Sequence, residues 1–104
     1  MRILMGHSVN QQELIRILTD ELPVLRAKLG LAQESLANKI GVSRQTVNAI
    51  EGKKREMSWD MFMALVLLFS YNAKTAPMLR HAGVHPEDLS EYLKVETESE
   101  SRNL

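Results

Sequence analysis

Apolar residues recur along this chain at intervals of three and four, the spacing of a helix that turns one side to a core. Leu14, Ile17 and Leu18 share one side of a segment from Asn10 to Thr19, and Leu22, Leu25 and Leu29 share one side of a second that begins at Asp20. Pro23 falls where the first turn of that second helix tolerates a missing N–H. The pattern therefore predicts two helices here, or one kinked helix, ended by Gly30 as a left-handed cap. Two short helices follow. One spans Gln33 to Ile40 with Leu36, Ala37 and Ile40 inward and stops at Gly41. The next is capped by Ser43, turns Val47 and Ile50 inward, and is closed by Gly52. Ser58 caps a helix over Trp59 to Ser70 that is apolar nearly all round, as a helix buried on several sides must be. Further helices are predicted over about Thr75 to His81 and Pro86 to Lys94. No run of branched and aromatic residues alternates as a strand would.

A chain of 104 residues fits one all-α domain and can bury a core without covalent staples. It has no cysteine, which excludes disulfides and thiolate chemistry. The longest apolar run, Met61 to Phe69, has nine residues, whereas a membrane span needs about 20. No targeting segment is visible at Met1 to Gly6, so a soluble, cytoplasmic protein is expected. The formal net charge is zero, but that total hides an asymmetry. Residues 26–55 hold seven bases (Arg26, Lys28, Lys39, Arg44, Lys53, Lys54, Arg55) against Glu34 and Glu51. Residues 84–104 hold six acids against Lys94 and Arg102. A basic middle points to an anionic partner in spite of the neutral sum.

Catalytic constellations are missing from the sequence. His7, His81 and His85 are scattered, without the spacing of a metal site. The acids are spread out, and there is neither a nucleophile elbow nor a glycine-rich phosphate loop. The expectation is a non-enzyme without metal or cofactor. Trp59, Met61, Phe62, Met63 and Phe69 could line an effector pocket, but a stripe of Met and aromatic residues at helical spacing reads first as core or dimer interface.

The informative stretch is Gln33 to Gly52. Ala37 is small enough for two helices to pack closely, Gly41 permits the sharp turn between them, and Leu36, Ile40, Val42, Val47 and Ile50 fill the space. Arg44, Gln45, Thr46, Asn48 and Ala49 then remain outward on the second helix. Such side chains suit base edges in a major groove, where Arg pairs with guanine and Gln or Asn with adenine. Lys53, Lys54 and Arg55 form a basic loop at the end of that helix, placed for phosphate contact.

Segment 22–70 resembles the Cro/C1-type (Xre-like) helix-turn-helix domain of phage repressors and bacterial regulators. The likeness rests on Leu25-Arg26, Leu29-Gly30-Leu31, Gln33, Leu36-Ala37, Gly41-Val42-Ser43, Gln45-Thr46-Val47, Ile50-Glu51 and Ser58, and covers about half the chain. It implies a compact domain of five to seven helices with an extra N-terminal helix. With the helical pattern on either side, and a polar, acidic end that has little to bury, the chain divides into an extension at 1–21, the DNA-binding domain at 22–70, C-terminal helices at 71–94 and a disordered acidic tail at 95–104. By the same resemblance Gln33 holds a backbone phosphate, and Arg44 and Gln45 read bases. Thr46 and Asn48 contact phosphate or a neighbouring base, and Ser43 and the basic loop complete the DNA-binding set. Arg26 and Glu51 pair as scaffold beneath the recognition helix. The sequence departs from the family at Ala49, where a long base-reading side chain is common. It departs again at Gly52-Lys53, where Asn-Gly is the usual order, and at Met57, where proline is frequent. The expected function is a sequence-specific transcriptional regulator, a repressor before an activator, binding double-stranded DNA as a homodimer. The alternative is an antitoxin-like or adaptor protein whose main partner is another protein.

Overall fold

The computed structural model describes residues 10–95. Residues 1–9 and most of the expected acidic tail, 96–104, lie outside them. The described chain is helical, with no strand among the described residues: α1 (Gln11–Leu29), α2 (Gln33–Ile40), α3 (Arg44–Glu51), α4 (Trp59–Ser70), α5 (Ala76–Ala82), a 3-10 turn (Pro86–Leu89) and α6 (Ser90–Leu93). Among the described residues no helix is long and apolar enough to cross a membrane.

Of the two readings of residues 10–29, two helices or one, the single helix is the one present. α1 runs for 19 residues through Pro23, and the boundary drawn at residues 21–22 falls inside it. A proline in a helix interior costs about 3 kcal/mol. Leu14, Leu18 and Leu22 before it, and Leu25 after it, stay on one side of the continuous helix and are 0–3% exposed. Each buried leucine stabilises by about 1.5–3 kcal/mol, so keeping all four on one core outweighs the lost hydrogen bond. Asn10 starts the helix by accepting from the Glu13 N–H at 2.8 Å. Gly30, at φ 67°, ends it.

α4 is the central helix. It packs against α1, α2, α5 and the 3-10 turn, and Phe62, Leu65, Val66 and Phe69 are fully buried along it. The aromatic and Met stripe is thus mainly core: Met61 is buried too, while Trp59 and Met63 pack at its edge. Trp59 stacks on Phe62 with centroids 4.7 Å apart and takes the edge of Tyr92 at 5.8 Å, which seats α6 over the start of α4. Leu67 and Tyr71 remain exposed, so the helix is apolar all round but not covered all round.

The single helix expected over Pro86 to Lys94 is instead a 3-10 turn followed by one turn of α-helix. The His85 ring nitrogen Nδ1 accepts from the Glu87 N–H at 3.2 Å, and the Asp88 carboxylate accepts from the His85 N–H at 3.0 Å. This reciprocal cap tightens the first turn and holds Leu89 in the core. Between α4 and α5 the buried Thr75 hydroxyl donates to the Phe69 carbonyl at 2.7 Å, so the turn carries no unpaired buried polar side chain.

Candidate nucleic-acid interface

α2 and α3 pack tightly through Leu36, Ala37, Val47 and Ile50, all 0–1% exposed. The connection is three residues long because Gly41 reverses the chain at φ 80°, with its own N–H and that of Val42 both returning to the Ala37 carbonyl. Ser43 then caps α3, its hydroxyl accepting from the Thr46 N–H at 3.1 Å. With Val47 and Ile50 inward, the opposite side of α3 presents Arg44, Gln45 and Asn48 to solvent. None of these three side chains has a hydrogen-bond partner among the described residues. Ala49, expected outward with them, is half-buried.

Thr46 is placed differently from the expectation. It is half-buried, and its hydroxyl lies 2.9 Å from the Ser43 hydroxyl and accepts from Arg55 Nη1 at 3.2 Å. Arg55 therefore folds back from the basic loop onto the first turn of α3. Ser43, Thr46 and Arg55 come together there, next to Arg44.

Beneath the motif, Arg26 from α1 meets Glu51 at the end of α3 in a two-pronged pair, Nε to Oε2 at 2.8 Å and Nη2 to Oε1 at 2.9 Å. Arg26 Nη1 also donates to the Leu31 carbonyl at 2.8 Å, and Gln33 Nε2 donates to Glu51 Oε1 at 3.0 Å. One node thus ties α1, the start of α2 and the end of α3. The Arg26 and Glu51 side chains are 21% and 9% exposed. Burial pushes the Glu51 carboxyl up, but the hydrogen bonds from Arg26 and Gln33 and the Arg26 charge outweigh it, leaving the group below its ordinary value of 4.5. Gln33, read as a phosphate contact, has one amide hydrogen committed to this node.

The basic loop has a definite path. Gly52 ends α3 at φ −84°, and Lys53 takes the left-handed conformation at φ 60°, where glycine is the usual occupant. The Lys53 N–H returns to the Ile50 carbonyl at 3.0 Å and the Lys54 N–H to the Ala49 carbonyl at 2.8 Å, closing the helix end in full. The reversed Gly-Lys order therefore leaves the helix ending in its usual geometry, with a lysine carrying the strain. Lys53→Gly is expected to stabilise the fold by about 0.5–1 kcal/mol, because relief of the left-handed cost exceeds the extra chain entropy of glycine. A urea midpoint below that of the parent would contradict it. The Lys53 ammonium reaches Asp20 of α1 at 2.6 Å and holds that carboxyl below the usual carboxylate range. Lys54 is exposed and has no side-chain partner among the described residues.

Of the residues singled out from the sequence, Ser43, Arg44, Gln45, Asn48, Lys53, Lys54 and Arg55 are exposed on α3 and the loop behind it, while Gln33 and Thr46 are half-buried. Two partners were missed, Asp20 for Lys53 and Thr46 for Arg55. No spacing rule links residues 33 positions apart, so neither propensity nor periodicity could have found the first.

A family model described as Helix-turn-helix matches residues 25–65. No curated protein matches the chain, and no solved structure does.

Proposed function

We propose that this protein is a sequence-specific regulator of transcription that lays α3 in the major groove: residues 25–65 match the helix-turn-helix family model, and the segment resembles the Cro/C1 type, which binds DNA. The observation that carries the reading is the exposed side of α3. Arg44, Gln45 and Asn48, the three side chains whose donors and acceptors match base edges, stand together there without partners among the described residues. Ser43, Lys54 and Arg55 lie at the two ends of that side and supply phosphate contacts, which fix register but carry no sequence information. Gln33 serves the same end from the start of α2, with its remaining amide hydrogen. A helix that blocks access to a promoter needs no additional module, so repression in the cytoplasm is the mode proposed.

One helix reads too few base pairs for strong specificity, and a second copy doubles the site. Val24, Leu67 and Tyr71 are 50–83% exposed, and Tyr71 also lines a depression with Leu29, Leu31, Leu68, Lys39 and Asn72. Such surface supports a homodimer on a near-palindromic site, with half-sites about 34 Å apart. Light scattering at micromolar concentration, with and without DNA, should give twice the chain mass in at least one state. A monomer in both would assign that surface to a different protein instead.

The test of the DNA reading is fluorescence anisotropy on duplexes from the upstream region of its own gene and on a random duplex, at two salt concentrations. Tight, salt-sensitive binding that prefers one upstream duplex supports it. Absence of binding to any duplex at low salt overturns it.

A further inference from the structure

Asp20 lies on α1, ahead of the segment that matches the helix-turn-helix family. Its carboxylate is 2.6 Å from the Lys53 ammonium and 3.6 Å from Arg16 Nη1. A groove between the first half of α1 and the basic loop is lined by Arg16, Asp20, Lys53, Arg55 and Glu56, so acids stand inside this basic surface, and of the two Asp20 is the one that touches a cation of the loop. Two roles are open to it. It could hold the loop in position, or it could occupy the lysine.

The main chain decides between them. The loop is already fixed by the two hydrogen bonds that close α3, from the Lys53 and Lys54 N–H groups. An ion pair whose side chains are 66% and 43% exposed adds little to that. What the carboxylate does change is the charge presented, because it neutralises the first of three consecutive cations. We infer that Asp20 is an internal competitor for DNA phosphate: it occupies Lys53 in the free protein and yields it when a phosphate arrives. Arg16, which pairs with Glu13 at 3.0 Å, also stays beside Asp20 when Lys53 departs. The consequence is a lower affinity for DNA of any sequence, while base reading by α3 is untouched. A regulator that must leave random DNA quickly gains selectivity in the cell from this arrangement, because competing sites are far more numerous than operators.

The inference rests on the DNA-binding reading above, and a double-mutant cycle on a random duplex separates the two. Anisotropy at low salt is measured for the full chain, Asp20→Asn, Lys53→Gln and the double variant. Asp20→Asn is expected to bind about two- to fivefold more tightly than the parent, the range set by an exposed ion pair. Lys53→Gln should bind more weakly, and Asp20→Asn should add nothing in that background. A gain that persists without Lys53 would mean simple repulsion of the phosphates by Asp20, and a loss in Asp20→Asn would mean a positioning role. Either result overturns the inference while leaving the DNA reading intact. If the parent itself binds no random duplex at low salt, it is the DNA reading that falls.

Discussion

Arg26→Met is expected to destabilise the protein by about 2–3 kcal/mol, read as a lower urea midpoint at unchanged slope. The size follows from where the pair sits. Breaking a fully buried ion pair costs about 3–5 kcal/mol, while an exposed one is worth about 0–1 kcal/mol. With side chains 21% and 9% exposed, Arg26 and Glu51 fall between these limits. The variant would leave the Glu51 carboxylate with the Gln33 amide alone, at the end of α3 where the helix dipole already disfavours negative charge. It would also strip the Leu31 carbonyl of its donor. Glu51→Gln should cost less, because a neutral amide still accepts from Arg26. It offers a check through pH. The Glu51 carboxyl lies below its ordinary value of 4.5 in the folded protein, so its pairing stabilises above pH 4.5 and is lost as the pH falls through the depressed value. The difference in thermal midpoint between the parent and Glu51→Gln should therefore be constant near neutrality and shrink below pH 4.5. A gap that stays the same down to pH 3 would show that the carboxylate charge is not what holds the node.

The helix-turn-helix was legible because every level of the sequence agreed there. Ala37 and Gly41 answer a steric demand, Ser43 answers a capping demand, and Leu36, Val47 and Ile50 carry the period of one helix side. The elements left open or misjudged are those where a local rule met a larger force. Pro23 marks a helix start by local chemistry, yet the leucine stripe on both sides of it keeps α1 continuous. Pro86 to Lys94 has the length of a helix, yet the His85–Asp88 cap winds its first turn more tightly. At the end of α3 the local rule assigns the strained position to a glycine. The chain puts Lys53 there, because the reach of the closing hydrogen bonds, not the residue type, sets which position turns left-handed. The ion pair from Asp20 to Lys53 was beyond reading, since nothing in either neighbourhood refers to the other.

Arg44→Ala should cost about 1–3 kcal/mol on the preferred duplex and blur selectivity at one base position, with little change on random DNA. Lys54→Ala should weaken binding to both duplexes alike and lower the salt slope by about 0.9. The contrast follows from what each side chain must give up. Arg44 stands in the first turn of α3 with no partner among the described residues, so on the proposed reading its planar pair of donors would reach a guanine edge without breaking any bond in the free protein. Lys54 is equally unengaged, but it lies on the loop that follows α3, where a point charge meets phosphate and has no base to select. Arg55 differs from both, because its guanidinium must first leave the Thr46 hydroxyl. Comparing the variants on both duplexes across a salt series separates reading from positioning. Identical losses for Arg44→Ala and Lys54→Ala on both DNAs would mean that α3 does not present Arg44 to base edges, and the assignment of its exposed side as the reading surface would fail.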